Sequence, residues 1–262
     1  MNLKYITCSD PREFNDIHDI VKLAKTSPRA EIAIQMHPSK ASPGMPRYEW
    51  AIELVKKVQH DQYYDYMMGL STIQDRLNLA IHINNEWAAQ ICRTGRIPEE
   101  LHPLLVMRYR GGLDMRPIVR RIQINVPPAA AHDASVIDMA HMMDVNRDYR
   151  FIVQYNAKTA DLVGRLNQVG AKFSPLYDAS GGRGLSPDSW QKPVFDTRMQ
   201  GYSGGISPEN VAENLNKISS VVSADHDVWI DAEGKLKTDD RFDIMRARQY
   251  IINAENWLKK QR

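Results

Sequence analysis

A carboxylate followed at once by a glycine-rich segment is the feature of this sequence best suited to chemistry. An apolar run ends at Asp178 and leads directly into residues 180–184, Ser-Gly-Gly-Arg-Gly. Because glycine has no Cβ, this segment allows the backbone to turn tightly around a small ligand. An acid at the mouth of such a loop is placed to transfer protons. Asp178 could equally cap a turn that only reverses the chain, and the segment alone leaves both interpretations open.

Two further glycine segments lie near the C-terminus. Gly204 and Gly205 directly precede a predicted helix, for which Ser207 is the predicted cap and Pro208 the first residue. Open backbone N–H groups and the positive end of the helix dipole favour a phosphate at this place. Gly234, a single glycine, is a weaker candidate for the same kind of phosphate site. A tight turn is the alternative interpretation of each segment.

A cysteine follows the first predicted strand. Cys8 would be a catalytic thiolate only where the local field lowers its pKa. Free cysteine is also among the most buried residue types, so packing in the core is the alternative role.

The elements that must position these residues are short β-rich runs alternating with segments of helical periodicity. This alternation predicts βα units around a parallel sheet. Eight such units in 262 residues match the size of a (β/α)8 TIM barrel, with an open doubly wound sheet as the alternative. The predicted strands are 3–7, 30–35, 77–83, 121–126, 151–155, 173–178, 197–202 and 227–230.

The whole chain, 1–262, is predicted to be a single barrel domain with insertions near 59–76 and 92–116. Asp10 and Pro11 are predicted to begin the first helix, as cap and first helical residue. Asn84 or Asn85 is predicted to cap a short helix, and a single helix is predicted over 129–143.

Composition and charge narrow the class of protein. With 43% hydrophobic and 25% charged residues, the chain reads as an ordinary soluble globular protein. A net charge of +2 gives no general reason to expect nucleic acid or membrane partners. Cys8 and Cys92 make no disulfide framework and the N-terminus lacks a signal core, which favours the cytoplasm.

Two other groups of residues bear on binding. Five arginines fall within 108–121, a pattern that suits either a nucleic-acid or phosphate patch or, more commonly, a solvated insertion. The eight histidines are scattered without further ligands beside them, so no metal site is predicted.

In order and spacing these pieces resemble the phosphoribosylanthranilate isomerase family, barrel enzymes of tryptophan biosynthesis. The family's Leu-Leu-Asp strand with its Gly-Gly-Thr-Gly loop is similar to 176–190, and its Ala-Gly-Gly-Leu-x-Pro-Glu-Asn-Val segment is similar to 203–211. Its Lys-Ile-Cys-Gly, Ser-Pro-Arg and Gln-Leu-His-Gly elements are similar to 5–9, 45–47 and 123–125.

The resemblance implies an isomerase that converts an aldose to a ketose, by Amadori rearrangement of N-(5'-phosphoribosyl)anthranilate. That reaction needs an acid at the ring oxygen and a base at the C2 proton. By the resemblance, Asp178 is the general acid, Cys8 the general base and Arg47 the group that holds the anthranilate carboxylate. No cofactor and no metal are predicted. The remaining predicted substrate-binding residues are Gly182, Gly204, Gly205 and Gly234.

The chain also departs from the family pattern. Ser9 replaces a glycine after the cysteine, and Glu233 stands where serines would meet a phosphate, although Lys235 could compensate for its charge. A related barrel enzyme acting on another phosphosugar is therefore one alternative. A non-catalytic barrel that binds a ligand or partner through 108–121 is another. The expected partner is a small phosphorylated substrate, and the sequence leaves the oligomeric state open.

Overall fold

The computed structural model describes residues 1–69, 77–109, 116–178, 187 and 189–261. Gly182 and the rest of the glycine segment after Asp178 lie outside the described residues, so the prediction for that segment stays a prediction.

Eight parallel strands close into a barrel in which each strand pairs with the next along the chain, and the last pairs with the first. The predicted (β/α)8 fold is thus confirmed, and the open doubly wound sheet is wrong because such a sheet keeps two unpaired edges. The strands are β1 (Asn2–Ser9), β2 (Ala30–Met36), β3 (Asn78–Ile83), β4 (Val119–Ile124), β5 (Arg150–Tyr155), β6 (Phe173–Asp178), β7 (Gln200–Ser203) and β8 (Asp227–Ala232).

Among the described residues, a helix follows every strand of the barrel except β6. The helices of this part of the chain are α1 (Ile17–Ala24), α2 (Pro46–Met67), α3 (Asn85–Thr94), α4 (His102–Leu105), α5 (Pro128–His132), α6 (Val136–Val145), α7 (Ala160–Gln168), α8 (Val211–Ser219) and α9 (Ile244–Lys260). A small antiparallel hairpin of β9 (Lys237–Thr238) and β10 (Arg241–Phe242) follows β8. None of the helices described is long and apolar enough to cross a membrane.

The predicted helix boundaries at α1 and at α5 are wrong. The carboxylate that caps α1 belongs to Asp16, which accepts from two backbone N–H groups of the first turn, whereas Asp10 has a left-handed φ of 72° and lies outside the helix. The single helix predicted over 129–143 is two helices, because the chain turns at Asp133 between α5 and α6. Asn84 is the N-cap position of α3, as one of the two predicted choices.

The regions predicted as insertions begin as regular structure. The first, near 59–76, starts within the last turns of α2. The second, near 92–116, contains the end of α3, a 3-10 turn at Glu99–Leu101, α4 and a bridge between Arg108 and Pro117.

Side chains along each strand alternate between the barrel interior and the surrounding helices. In β1, the hydroxyls of Thr7 and Ser9 point inward and donate to Glu31 at 2.7 Å and to Asp231 at 2.6 Å. Cys8, between them, is fully buried in the large apolar cluster that joins the barrel to the helices. This alternation decides which residues reach the site.

A buried ion pair fills the inner part of the barrel. Nη1 of Arg121 donates to Oε1 of Glu31 at 2.6 Å. The guanidinium lies between the rings of Tyr5 and Trp229, 4.3 and 4.4 Å from their centroids, an arrangement that attracts a cation to both ring faces. Gly201 leaves room for this layer, since a Cβ there would stand 2.2 Å from the Trp229 ring.

Candidate functional site

A cavity of about 220 Å³ opens at the carboxyl ends of the strands. This is the end of the barrel where loops from several strands build the active sites of such proteins. Its described lining consists of strand-end side chains and the loops after β7 and β8. These residues are Gln35, His82, Gln123, Asn125, Gln154, Leu176, Asp178, Ser203, Gly204, Gly205, Ile206, Asp231, Ala232, Glu233, Gly234 and Lys235.

Asp178 lines this cavity as the last residue of β6. Its side chain is buried, and Nε2 of Gln154 on the neighbouring strand β5 donates to its Oδ2 at 2.7 Å. The apolar run that forms β6 packs into the barrel wall and therefore places the carboxylate at the strand end. The bond from Gln154 restricts the orientation of that carboxylate toward the cavity.

The loop after β7 faces the same cavity. Gly204 and Gly205 have φ values of 124° and 62°, which favour glycine because a Cβ would clash in this region. Ser207 accepts at its Oγ from the backbone N–H groups of Glu209 at 3.2 Å and Asn210 at 3.3 Å. The predicted start of the helix at Ser207 is therefore a capped turn, and α8 itself begins after Asn210.

Gly234 also lines the cavity, on the loop after β8. A Cβ at this position would meet nothing within 4 Å, so space alone does not require a glycine there. The structure thus brings together Asp178, Gly204, Gly205 and Gly234, four of the predicted site residues.

Cys8 is not among the residues that line the cavity. Its side chain points to the helix layer because the inward positions of β1 are occupied by Thr7 and Ser9. Burial raises the pKa of the Cys8 thiol well above its usual range, and the charges of Asp231 and Glu31 raise it further. A protonated thiol in the outer core does not fit the predicted role of general base. The hydroxyl of Ser9, one residue along, lies on the inward face instead.

Arg47 is likewise held away from the cavity. It is buried at the start of α2, with Nη1 3.7 Å from Oδ1 of Asp10 and Nε donating to Oε2 of Glu13 at 3.4 Å. Asp10 also binds Arg12 and, at 2.8 Å, Lys237. Hydrogen bonds from Arg12 and Lys237, together with their charges, lower the pKa of the Asp10 carboxyl against the opposing effect of its burial. Arg47 therefore belongs to an ionic cluster beside the site.

Asp231, near the end of β8, has the most strongly shifted pKa among the carboxyl groups of the described cavity lining. Burial raises the pKa of Asp231 to about 7, and the charges of Glu233 and Glu31 act in the same direction, against the hydrogen bond from Ser9. A carboxyl that exchanges its proton near neutral pH suits general acid–base catalysis. The sequence prediction gave this residue no role, since nothing in the string Asp-Ala-Glu-Gly reveals burial.

Glu233 stands at the cavity mouth beside two donors. Its Oε2 accepts from Nε2 of Gln35 at 2.9 Å, and its Oε1 lies 3.4 Å from Nζ of Lys237. Partial burial and the nearby Asp10 charge raise the pKa of Glu233. These contacts hold the carboxylate against the wall and reduce its repulsion of an anion.

Amide side chains in and beside the cavity lining form a continuous set of hydrogen bonds that we call the amide chain. Nε2 of Gln123 donates to Oδ1 of Asn125 at 2.8 Å, and Nδ2 of Asn125 donates to Oδ1 of Asn84 at 2.8 Å. Nδ2 of Asn84 donates to Oε1 of Gln35 at 2.5 Å. Gln35 then donates to Glu233 at the mouth. Sequence reasoning gave the amide chain no binding role, because amides at strand ends have the pattern of helix caps and turns.

His82 lies under the amide chain and is neutral. Burial lowers the pKa of His82 to about 3, and the charge of Arg121 lowers it further. Its Nδ1 lies 3.5 Å from Nε2 of Gln35 and 3.4 Å from Nε2 of Gln123, so it accepts from the two amides.

The arginine-rich segment has no continuous surface among its described residues. Arg121 points into the barrel, as described above, and Arg108 pairs with Asp148 at 2.9 Å and stacks on Tyr149. Residues 110–115 lie outside the described part of the chain. Within that described part, no group of three His, Cys, Asp or Glu residues could hold a metal ion.

The closed barrel and the cavity at its carboxyl end define a (β/α)8 barrel protein. Its fold is similar to that of a protein from Chromobacterium violaceum provisionally named spore coat polysaccharide biosynthesis protein E. The TM-score of this comparison is 0.54 and the sequence identity is 10%. The match covers 100% of this chain and 76% of that one. N-(5'-phosphoribosyl)anthranilate isomerase from Pyrococcus furiosus gives TM-score 0.44 at 11% identity, covering 96% of this chain and 98% of that one.

A third structure, that of KGPDC from Streptococcus mutans in a ligand complex, gives TM-score 0.44 at 10% identity, covering 96% of this chain and 98% of that one. No protein-family model and no curated protein sequence matches the chain. Identities this low show a shared fold alone.

Proposed function

We propose that this chain is an enzyme that isomerises a phosphorylated aldose, or its amine derivative, to the ketose. The observation that carries the proposal is that two carboxyl groups, Asp178 and Asp231, line one cavity with the glycine loops after β7 and β8. In this proposal the two carboxyl groups transfer the protons, and the glycine loops bind the phosphate of the substrate.

Asp178 is the general acid of this proposal. In an Amadori rearrangement it protonates the ring oxygen, so that the bond from C1 to that oxygen breaks and a double bond forms between C1 and nitrogen. Its hydrogen bond from Gln154 at 2.7 Å supports this role, because proton transfer requires a fixed orientation.

Asp231 replaces Cys8 as the proposed base. It takes the C2 proton, which gives an enol. That proton is returned to C1 while the hydroxyl group on C2 gives its proton to Asp178, so the carbonyl forms at C2, both carboxyl groups regain their starting state and no atom is gained or lost overall. Burial places the pKa of Asp231 at about 7, so an ionised fraction is available at neutral pH. The hydrogen bond from Ser9 at 2.6 Å stabilises that ionised form.

The phosphate of the substrate is assigned to the loops at Gly204, Gly205 and Gly234. The first two glycines have positive φ and line the cavity, and their loop leads through the turn at Ser207 to α8, which begins at Val211. Lys235 adds a positive charge to the same lining. The hydrogen bonds that Gln35 and Lys237 donate to Glu233 reduce the repulsion between its carboxylate and a bound phosphate.

The sequence resemblance makes N-(5'-phosphoribosyl)anthranilate, and hence tryptophan biosynthesis, the first substrate to test. The alternative member of the class is a phosphosugar without an aryl amine. The position of Arg47 in the ionic cluster with Asp10 favours this alternative, because its guanidinium is already engaged.

The test supplies freshly generated phosphoribosylanthranilate, followed by its fluorescence, and ribose 5-phosphate, followed by proton NMR in deuterated water. Turnover of either one, with solvent deuterium at C1 of the ketose, is the expected result. Asp178→Asn should lower kcat by about 10²- to 10⁴-fold. Asp133→Asn, at an exposed site outside the cavity, is the matched control. Absence of turnover of both substrates, or equal rates for Asp178→Asn and the wild type, would overturn the proposal.

A further inference from the structure

The amide chain reaches from the loop after β8, where Gln35 bonds to Glu233, to Gln123 and Asn125 on the far side of the barrel. It is built on β2, β3 and β4, whereas the glycine loops follow β7 and β8, and in a closed barrel of this strand order β4 stands opposite β8. A ligand whose phosphate lies at the glycine loops therefore extends its other end toward the amides.

The wall that receives this end is polar but carries little charge. Amide groups offer both donors and acceptors without a formal charge, and His82 is neutral because burial lowers its pKa to about 3. Lys235 is the one lysine or arginine among the described lining residues, and it lies on the loop after β8. Such a surface matches hydroxyl groups, which also donate and accept without charge.

One acceptor of this wall has no partner within the described part of the chain. Gln123 is 3% exposed, and its Oε1 is buried without a hydrogen bond, although its Nε2 donates to Asn125. A buried acceptor left unpaired keeps the full penalty of its removal from water. A ligand hydroxyl that donates to this oxygen would remove that cost, whereas an aryl ring would leave it.

We propose that the amide chain binds the hydroxyl groups of an open polyhydroxylated carbon chain, so that the substrate is a sugar phosphate without an aryl group. This inference rests on the proposed function for the position of the phosphate. It deepens that function by assigning the rest of the ligand, and it makes Gln123 and Asn125 the residues that determine specificity.

The test compares two phosphate esters that differ only in hydroxyl groups, D-arabinitol 5-phosphate and n-pentyl phosphate, by isothermal titration calorimetry. We expect the polyol ester to bind at least about tenfold more tightly, as one or two hydrogen bonds predict. Gln123→Met should reduce that ratio toward one and leave the affinity for pentyl phosphate unchanged. Gln249→Met, on the exposed face of α9, is the matched control and should preserve the ratio.

Equal affinities for the two esters, or failure of both to bind, would overturn the inference. If Gln123→Met does not fold, Asn125→Ser at the partly exposed neighbouring position makes the same comparison. The two proposals fail separately. Tight binding of the polyol ester without turnover of any aldose phosphate would support the amide chain and contradict the isomerase. Turnover of an aldose phosphate together with equal affinities for the two esters would support the isomerase and contradict the role of the amide chain.

Discussion

Nε2 of Gln154 donates to Oδ2 of Asp178 at 2.7 Å, from one barrel strand to the next. This bond orients the proposed acid from a residue that need not touch the reacting atoms. Gln154 is therefore a positioning residue in our interpretation, and its replacement should act on the rate of the chemical step.

We expect Gln154→Met to lower kcat by about tenfold to a hundredfold, the range that a misplaced catalytic group produces. The KM should change little, because the proposed phosphate site lies on the loops after β7 and β8 and not on β5. Measuring kcat and KM separately tests this expectation. A variant that raises KM at unchanged kcat would assign Gln154 to substrate binding instead.

The outward position of Cys8 gives a prediction that opposes the one drawn from sequence resemblance. Cys8→Ala should leave kcat within about twofold and lower the free energy of unfolding by about 1 kcal/mol, as loss of a small buried group does. Ser9→Ala, one residue along on the inward face, should lower kcat because Asp231 loses its donor. Comparing the two variants at matched concentration distinguishes a cysteine base from a structural cysteine. A large loss of kcat in Cys8→Ala alone would support Cys8 as the general base, as the sequence resemblance implies.

The reactivity of the thiols offers a check that does not require a substrate. Both cysteines, Cys8 and Cys92, are buried and free. Burial raises the pKa of Cys92 to about 11 and that of Cys8 well above its usual range. We expect a thiol reagent such as Ellman's reagent to titrate neither cysteine in the native protein and both in denaturant. Rapid reaction of one thiol in the native state, absent in Cys8→Ala, would contradict the buried position.

Asp231 should make stability depend on pH. Burial raises the pKa of Asp231 from the ordinary 3.8 to about 7, so between these values the folded protein holds a proton that the unfolded chain releases. The resulting stabilisation is complete below pH 3.8, decreases as pH rises and is lost above about 7. Asp231→Asn carries no titrating group and should lack this slope. Urea unfolding of the two proteins from about pH 4 to about pH 8 measures the difference, and parallel curves would contradict the shift.

Gly201 should tolerate no side chain. A Cβ there would lie 2.2 Å from the ring of Trp229 and 2.6 Å from Cδ1 of Leu176, both inside the barrel. Gly201→Ala should lower the free energy of unfolding by about 1–3 kcal/mol, as overpacking of a core does. Gly164→Ala in α7 is the matched control, since a Cβ there meets nothing within 4 Å and alanine favours a helix by about 0.5–1 kcal/mol. In thermal unfolding, Gly201→Ala should lower the midpoint temperature and Gly164→Ala should raise it.

The barrel was predictable from sequence because its strands are short apolar runs with clear ends. The run that ends at Asp178 gave the bounds of β6 as the structure has them. Caps were less certain, since the carboxylates of Asp10 and Asp16 both precede α1, and only the backbone geometry shows that Asp16 caps the helix.

The site was predicted in part. Glycines and an acid at strand ends are visible in the sequence, and the structure places Asp178, Gly204 and Gly205 at one cavity. The face of Cys8 was not visible, because a shift of one residue in a strand moves a side chain from the inside to the outside. The partners of Gln123 and Asn125 come from strands distant in the chain, so no local pattern reveals them.

The guanidinium of Arg121, paired with Glu31, lies against the rings of Tyr5 and Trp229 in the inner part of the barrel. Because this layer fills the barrel beneath the cavity, the cavity formed by the described residues opens at the carboxyl ends of the strands. In the proposed reaction, the product would leave through the same opening that admits the substrate. Under the proposed function, product therefore competes with substrate for that opening.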